Sequence, residues 1–136
     1  MPDVPLTSRL GNAAGNTDGG YDLKSSDTTL LRAVAVDNKR NFRLWGQIAL
    51  EQCVGQGPHK RGGSGTQAQV HGNPQGVFTV TDSRFVDDDP ATIVFDLDDD
   101  AAGTVVGGCV ERHPDASYQT IEPAASLMLT DVADGC

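Results

Sequence analysis

The chain is poor in the residues that large cores and charged ligands demand, and each shortage excludes something. Aromatic residues make up 5% of its 136 residues and Trp45 is the one tryptophan, so the core must be assembled from Val, Leu, Ile and Ala. Lys and Arg number 10 against 19 Asp and Glu, a formal net charge of −9. Affinity for nucleic acid comes mainly from cations neutralising phosphates, so no nucleic-acid partner is expected. No apolar run approaches the roughly 20 residues that cross a bilayer as a helix, and no membrane partner is expected. Residues 1–7 carry neither a basic region nor an apolar core, so no signal peptide is read there and synthesis as a soluble protein is expected.

Motifs are short as well. Neither G-x-x-x-x-G-K-[ST] nor G-x-G-x-x-G can be written across the Gly-rich stretch 55–76, and no helix follows it, which excludes nucleotide binding. No cofactor is expected. Sustained 3.6-residue periodicity is missing; residues 123–131 are the one stretch that reads as either a short helix or a strand. No internal repeat is visible.

What remains is period-two patterning. In residues 42–52, Phe42, Leu44, Ile48 and Leu50 share one parity, while Arg43, Trp45, Gln47, Ala49 and Glu51 share the other. Such alternation marks a strand with one buried face. Residues 29–36 read as a second strand, and residues 37–41 as a connection of hairpin length, so an antiparallel hairpin over 29–52 is predicted. Further strands are expected at 66–70, 77–81, 92–97, 103–112, 117–122 and 126–132, punctuated by Asp-, Gly- and Pro-rich turns. Strands at this spacing predict an all-β chain, a single antiparallel β-sandwich or barrel-like domain. Residues 1–27, rich in Gly, Asn and Asp, read as an extended N-terminal arm with Leu6, Leu10, Tyr21 and Leu23 as anchors. The β domain then covers 28–136, with a long Gly-rich loop at 55–76.

Candidate sites are weighed against bland readings. Asp87, Asp88, Asp89, Asp96, Asp98, Asp99 and Asp100 could supply oxygens for calcium, but their spacing is not an EF-hand and Asp favours turns on its own account. Cys109 and His113, with Cys53, His59 and His71, contain zinc-ligand atoms without the paired short spacing of structural sites. Neither a metal site nor a catalytic set is assigned; Cys109, His113 and Asp115 lie too close along the chain to be presumed a triad. Cys53, Cys109 and Cys136 are disulfide candidates, Cys53 with Cys109 across sheets or Cys136 with another subunit. His59, Lys60 and Arg61 make a positive spot on the long loop. Trp45 beside Arg43 reads as a contact anchor, because Trp and Arg are enriched at interface hot spots; the alternative buries it under the Gly-rich loop.

A lean β domain, an arm and a loop that order on neighbours, and a terminal cysteine resemble the layout of small tailed-bacteriophage virion proteins, either capsid decoration proteins or tail-tube subunits. The resemblance implies a non-enzymatic structural protein of the virion, made in the host cytoplasm. It would be a homo-oligomer that also binds a larger lattice protein. Its interface residues would be Trp45, Arg43, Leu6, Leu10, Tyr21, Lys60 and Arg61, with intersubunit disulfides if oxidised. The alternative is a small ligand- or glycan-binding β-sandwich, calcium-dependent if the acidic turns take part.

Overall fold

The computed structural model describes residues 6–9, 12–15, 19–24, 26–63 and 65–136. Among them the chain is all strand and turn. Strands β1 (Leu6–Arg9), β2 (Asn12–Ala14) and β3 (Gly19–Leu23) are followed by β4 (Thr28–Leu31), β5 (Val34–Val36) and β6 (Arg40–Leu44). Then come β7 (Gln47–Glu51), β8 (Val54–Gln56) and β9 (Ala68–Gly72), and β10 (Val77–Thr81), β11 (Arg84–Val86) and β12 (Ile93–Leu97). The chain closes with β13 (Ala102–Val106), β14 (Cys109–Glu111), β15 (Gln119–Ile121), β16 (Ser126–Thr130) and β17 (Ala133–Asp134).

Every third strand joins the same sheet. Sheet A runs β1-β4-β7-β10-β13-β16, sheet B β2-β5-β8-β11-β14-β17 and sheet C β3-β6-β9-β12-β15. All neighbours are parallel. The chain therefore winds as a parallel β-solenoid, each coil stacking on the one before. This overturns the antiparallel sandwich or barrel with an extended arm. The predicted hairpin over 29–52 is instead most of one coil plus the start of the next, with β4 parallel to β7 and Leu30 opposite Leu50. Residues 6–9, 12–14 and 19–23, expected in the arm, are the first strands of the three sheets. The physical reason is that alternation reports one buried face; it is silent on whether the partner is the next strand or the third one on.

Residues 42–52 illustrate the correction. The stretch is not one strand: it ends sheet C in β6, turns at Trp45 and Gly46, and opens sheet A in β7. The two-residue corner preserves phase, so Phe42, Leu44, Ile48 and Leu50 are all buried, as their parity predicts.

The corner between sheets A and B recurs in every coil. Arg32, Gln52, Asp82, Gly107 and Asp131 occupy it with φ between 49° and 69°, followed by Ala33, Cys53, Ser83, Gly108 and Val132. Backbone bonds continue through it: Gln52 N–H donates to the Thr81 carbonyl at 2.9 Å and Asp82 N–H to that of Val106 at 3.0 Å. Coil length is set elsewhere. From Thr28 to its partner Ile48 is 20 residues, from Ile48 to Phe78 is 30, and from Phe78 to Gly103 is 25.

Inside, like stacks on like. Leu30, Leu50, Val80 and Val105 are successive partners on sheet A, each at most 2% exposed. On sheet C, Tyr21 stacks on Phe42 with ring centroids 5.6 Å apart. Phe85 of sheet B then bridges to Phe42 at 6.3 Å and Phe95 at 5.7 Å, and Tyr118 follows Phe95 at 5.7 Å. Truncating any one of the fully buried Phe side chains costs about 3–5 kcal/mol in cores of this kind.

A second ladder runs through the corner between sheets B and C, and it is polar. Asn38 Nδ2 donates to the Ala13 carbonyl at 3.1 Å and to Asn41 Oδ1 at 3.1 Å. Asn41 Nδ2 donates to the Gln56 carbonyl at 3.2 Å and Gln69 Oε1 at 2.9 Å, and Gln69 Nε2 to the Val86 carbonyl at 3.2 Å. Buried amides thus satisfy carbonyls that a wide corner would leave bare. Gly55 makes room for them: a Cβ there would lie 2.4 Å from Gln69 Oε1.

The cysteines differ from expectation. Cys109 on β14 is bonded to Cys136 within the chain, Cα atoms 5.4 Å apart, and Cys53 is a free, buried thiol. Cys136 is therefore committed inside the subunit rather than to a neighbour, and Cys109 is not paired with Cys53.

Two predictions follow from the stacking. Phe78 fills the space left by Gly103, where a Cβ would lie 2.3 Å from the ring. Gly103→Ala should lower the urea midpoint by the equivalent of about 1–3 kcal/mol, whereas an unchanged midpoint would show that the ring has room to move. For the disulfide, a sequence separation of 27 corresponds to a loop-closure contribution of about 3–4 kcal/mol. Cys136→Ser should accelerate amide exchange in β17 and β14 first, because a solenoid loses its terminal coil before its middle.

Candidate functional site

Two outward faces differ sharply in chemistry. On sheet C a polar line crosses the coils: Asp22, Arg43, His71, Asp96 and Thr120 are successive register partners. They alternate along their strands with the inward residues Phe42, Val70 and Phe95. Trp45 Nε1 donates to Asp22 Oδ1 at 2.6 Å, and the Arg43 guanidinium sits 4.7 Å from the indole centroid. Arg43 Nε donates to Asn73 Oδ1 at 3.3 Å, and Nη1 lies 3.9 Å from Asp22 Oδ2. Trp45 is thus half-buried at the corner between sheets C and A, its ring packed against Arg43.

Further along the line, His71 is 5% exposed. Its Nε2 lies 3.0 Å from Asp98 Oδ2. An ionised carboxylate only accepts, so Nε2 carries the proton and Nδ1 is the acceptor. Burial, and next the Arg40 charge, pull the imidazole below its ordinary value of 6.5, against the opposing pull of Asp98 and Asp96. His71 is therefore neutral at pH 7. Thr66 Oγ1 donates to Asp96 Oδ2 at 2.5 Å. The line orients an imidazole beside two carboxylates, but at 5% exposure that imidazole is out of a substrate's reach. Its charges are spent on one another.

The remaining residues expected at an interface are dispersed. Tyr21 stacks on Phe42, with its hydroxyl buried and unpartnered among the described residues. Arg61 Nη1 donates to the Asp37 carbonyl at 2.8 Å, and Nη2 pairs with the Asp37 carboxylate. The Lys60 N–H donates to Gln67 Oε1 at 3.0 Å, tying the long loop to the start of β9. Leu6 opens β1 opposite Thr28, its side chain falling outside what is described, and Leu10 lies outside the described residues. Sheets B and C therefore separate Arg61 from Trp45 and Arg43. The Cys53 thiol is directed at the Leu30 and Glu51 carbonyls at 3.4 and 3.6 Å, and burial pushes its pKa up, which keeps it an inert thiol. Among the described residues no three His, Cys, Asp or Glu gather at metal-holding distance.

The outward face of sheet A is of the opposite kind. Outward positions on β4, β7, β10, β13 and β16 are Thr29, Leu31, Gln47, Ala49, Glu51, Val77, Thr79, Thr81, Ala102, Thr104, Val106, Ser126, Met128 and Thr130. Glu51 is the single charge among them. Val77, Val106 and Met128 are 47%, 41% and 65% exposed. Thr29, Ala49, Thr79 and Thr104 stand directly above one another. This face was missed by reading residues singly, because its members are four coils apart in sequence.

The lowered pKa of His71 has a testable consequence. Unfolded, the imidazole takes up its proton near pH 6.5, while in the fold it resists protonation. Folding stability should therefore be fully present above pH 7 and fall as pH drops from about 7 towards 5, the unfolded state binding the extra proton. Denaturant midpoints across that range should decline less steeply in His71→Gln than in the parent; identical slopes would remove His71 as the cause. No family model, curated protein or solved structure matches the chain.

Proposed function

We propose that the chain is a non-enzymatic structural subunit that associates with further copies of itself through the outward face of sheet A. The observation that carries this reading is the near-absence of charge on that face in a protein of net charge −9. Like-charged molecules repel across every acidic surface, so a copy meets the least repulsion where sheet A faces sheet A. Exposed Val77, Val106 and Met128 supply apolar area, and contiguous exposed apolar patches mark contact surfaces.

Area sets the strength. Five strands about 4.8 Å apart and five residues long at about 3.3 Å per residue give a face of roughly 300–400 Å². A standard interface covers about 800 Å² per partner. This face alone supports weak, concentration-dependent association, suited to a subunit held by several small contacts in a larger assembly. The virion setting implied by the layout's resemblance is one such assembly and belongs to this proposal. Its contact surface is now a flat sheet rather than an arm.

Sedimentation velocity across a wide concentration range tests the reading. The expected result is reversible self-association that disappears in a Val106→Lys, Met128→Lys double variant with an unchanged denaturant midpoint. A monomer at every concentration, or association that survives the double substitution, would overturn it.

A further inference from the structure

We propose that the outer corner where sheet B turns towards sheet C binds a neutral saccharide, gripped through neighbouring hydroxyls between Asp87 and Arg112. A cavity of about 380 Å³ opens there, lined by Gln56, Gly57, Asp87, Asp88, Glu111 and Arg112. Its size falls in the lower part of the range for small-molecule sites. The solenoid builds it by stacking: Gln56, Val86 and Glu111 are register partners on successive coils, and the residues that follow them form the cavity's rim.

Both gripping groups are held in place. Asp87 Oδ1 accepts from the Asp88 N–H at 2.8 Å, and the Asp87 N–H donates to the Glu111 carbonyl at 2.9 Å. Arg112 Nη1 donates to the Ala116 carbonyl at 2.5 Å, while its guanidinium lies 5.5 Å from the Tyr118 ring centroid. Each nonetheless keeps a buried atom with no partner among the described residues: Asp87 Oδ2, an acceptor, and Arg112 Nε, a donor. Two such atoms on one cavity cost stability unless something answers them.

Chemistry narrows the ligand. A cation would suit the carboxylates but meet the positive charge of Arg112, and calcium wants six to eight oxygens where three carboxylates line the wall. An anion would suit Arg112 but meet Asp87, Asp88 and Glu111. A neutral hydroxyl donates and accepts at once, so adjacent sugar hydroxyls can give to Asp87 and take from Arg112 with no net charge buried. Gln56, with both a carbonyl and an amide, adds a third contact of either sense.

Amide chemical shifts of the isotope-labelled full chain, titrated with methyl glycosides of glucose, galactose, mannose and N-acetylglucosamine and separately with calcium chloride, test the site. At least one glycoside should produce saturable shifts confined to Gly57, Asp87, Asp88, Glu111 and Arg112. Asp87→Asn and Arg112→Met should each weaken that binding at least tenfold. Because Arg112 also packs on Tyr118, Gln56→Ala provides a weakening variant on the opposite wall that leaves this packing alone. Shifts with calcium alone, no localised shifts with any glycoside, or glycoside shifts indifferent to Asp87→Asn and Gln56→Ala would overturn the proposal. The site stands or falls independently of association through sheet A.

Discussion

Each coil offers its backbone donors and acceptors to the coil above and the coil below, and cannot satisfy them alone. The same holds for its inward side chains, which meet their counterparts only when partners such as Leu50, Val80 and Val105 come into register. A slip of one residue would send every inward side chain outward. The A-to-B corner protects against that slip. Its positive φ at Arg32, Gln52, Asp82, Gly107 and Asp131 fixes where each coil changes sheet, so the three sheets keep phase whatever happens in the longer loops. Non-glycine residues in this region cost of order 1 kcal/mol or more each, and the stacked hydrogen bonds through the corner offset that strain.

Function follows from the same constraint by way of the outward faces. In-register stacking turns scattered residues into columns, so one substitution every 20 to 30 residues in sequence becomes a continuous surface. On sheet C the column is charged and pairs internally, which explains why Trp45 and Arg43, exposed by parity, spend their polar groups on Asp22 and Asn73. On sheet A the column is threonine, alanine and aliphatic, and nothing in it opposes a like surface. At the B-to-C corner, where coil lengths differ most, stacking leaves a mixed-charge cavity instead of a column. The three regions suit internal stabilisation, self-association and recognition of a neutral polar ligand, in that order.

The sequence made the inward parity of residues 42–50 legible, and with it the all-β class. Direction and topology were not legible. Residues 37–41 have the length of a hairpin turn, yet Asn38 and Asn41 turn inward as amide ladder rungs and the chain moves on to another sheet. The repeat was hidden because coil lengths of 20, 30 and 25 residues have no common period. Its one constant, a residue of positive φ before a small or compact inward residue, is shared by Arg32, Gln52, Asp82, Gly107 and Asp131, side chains with nothing else in common. The pairing of Cys109 with Cys136 was equally hidden, since it depends on β14 and β17 being neighbours, as Cys109 and Ala133 are. Asp87 and Asp88 read as a turn, and only the stacking of β8, β11 and β14 sets Gln56 and Arg112 beside them.

The stacking itself can be measured directly. Methyl-labelled protein should show nuclear Overhauser contacts linking Leu50 to Val80 and Val80 to Val105, with amide contacts from Thr79 to both Ala49 and Thr104. Contacts that instead join residues 29–36 to 42–52 in antiparallel order, or the absence of any contact between Val80 and Val105, would contradict a parallel solenoid and every surface argued from it.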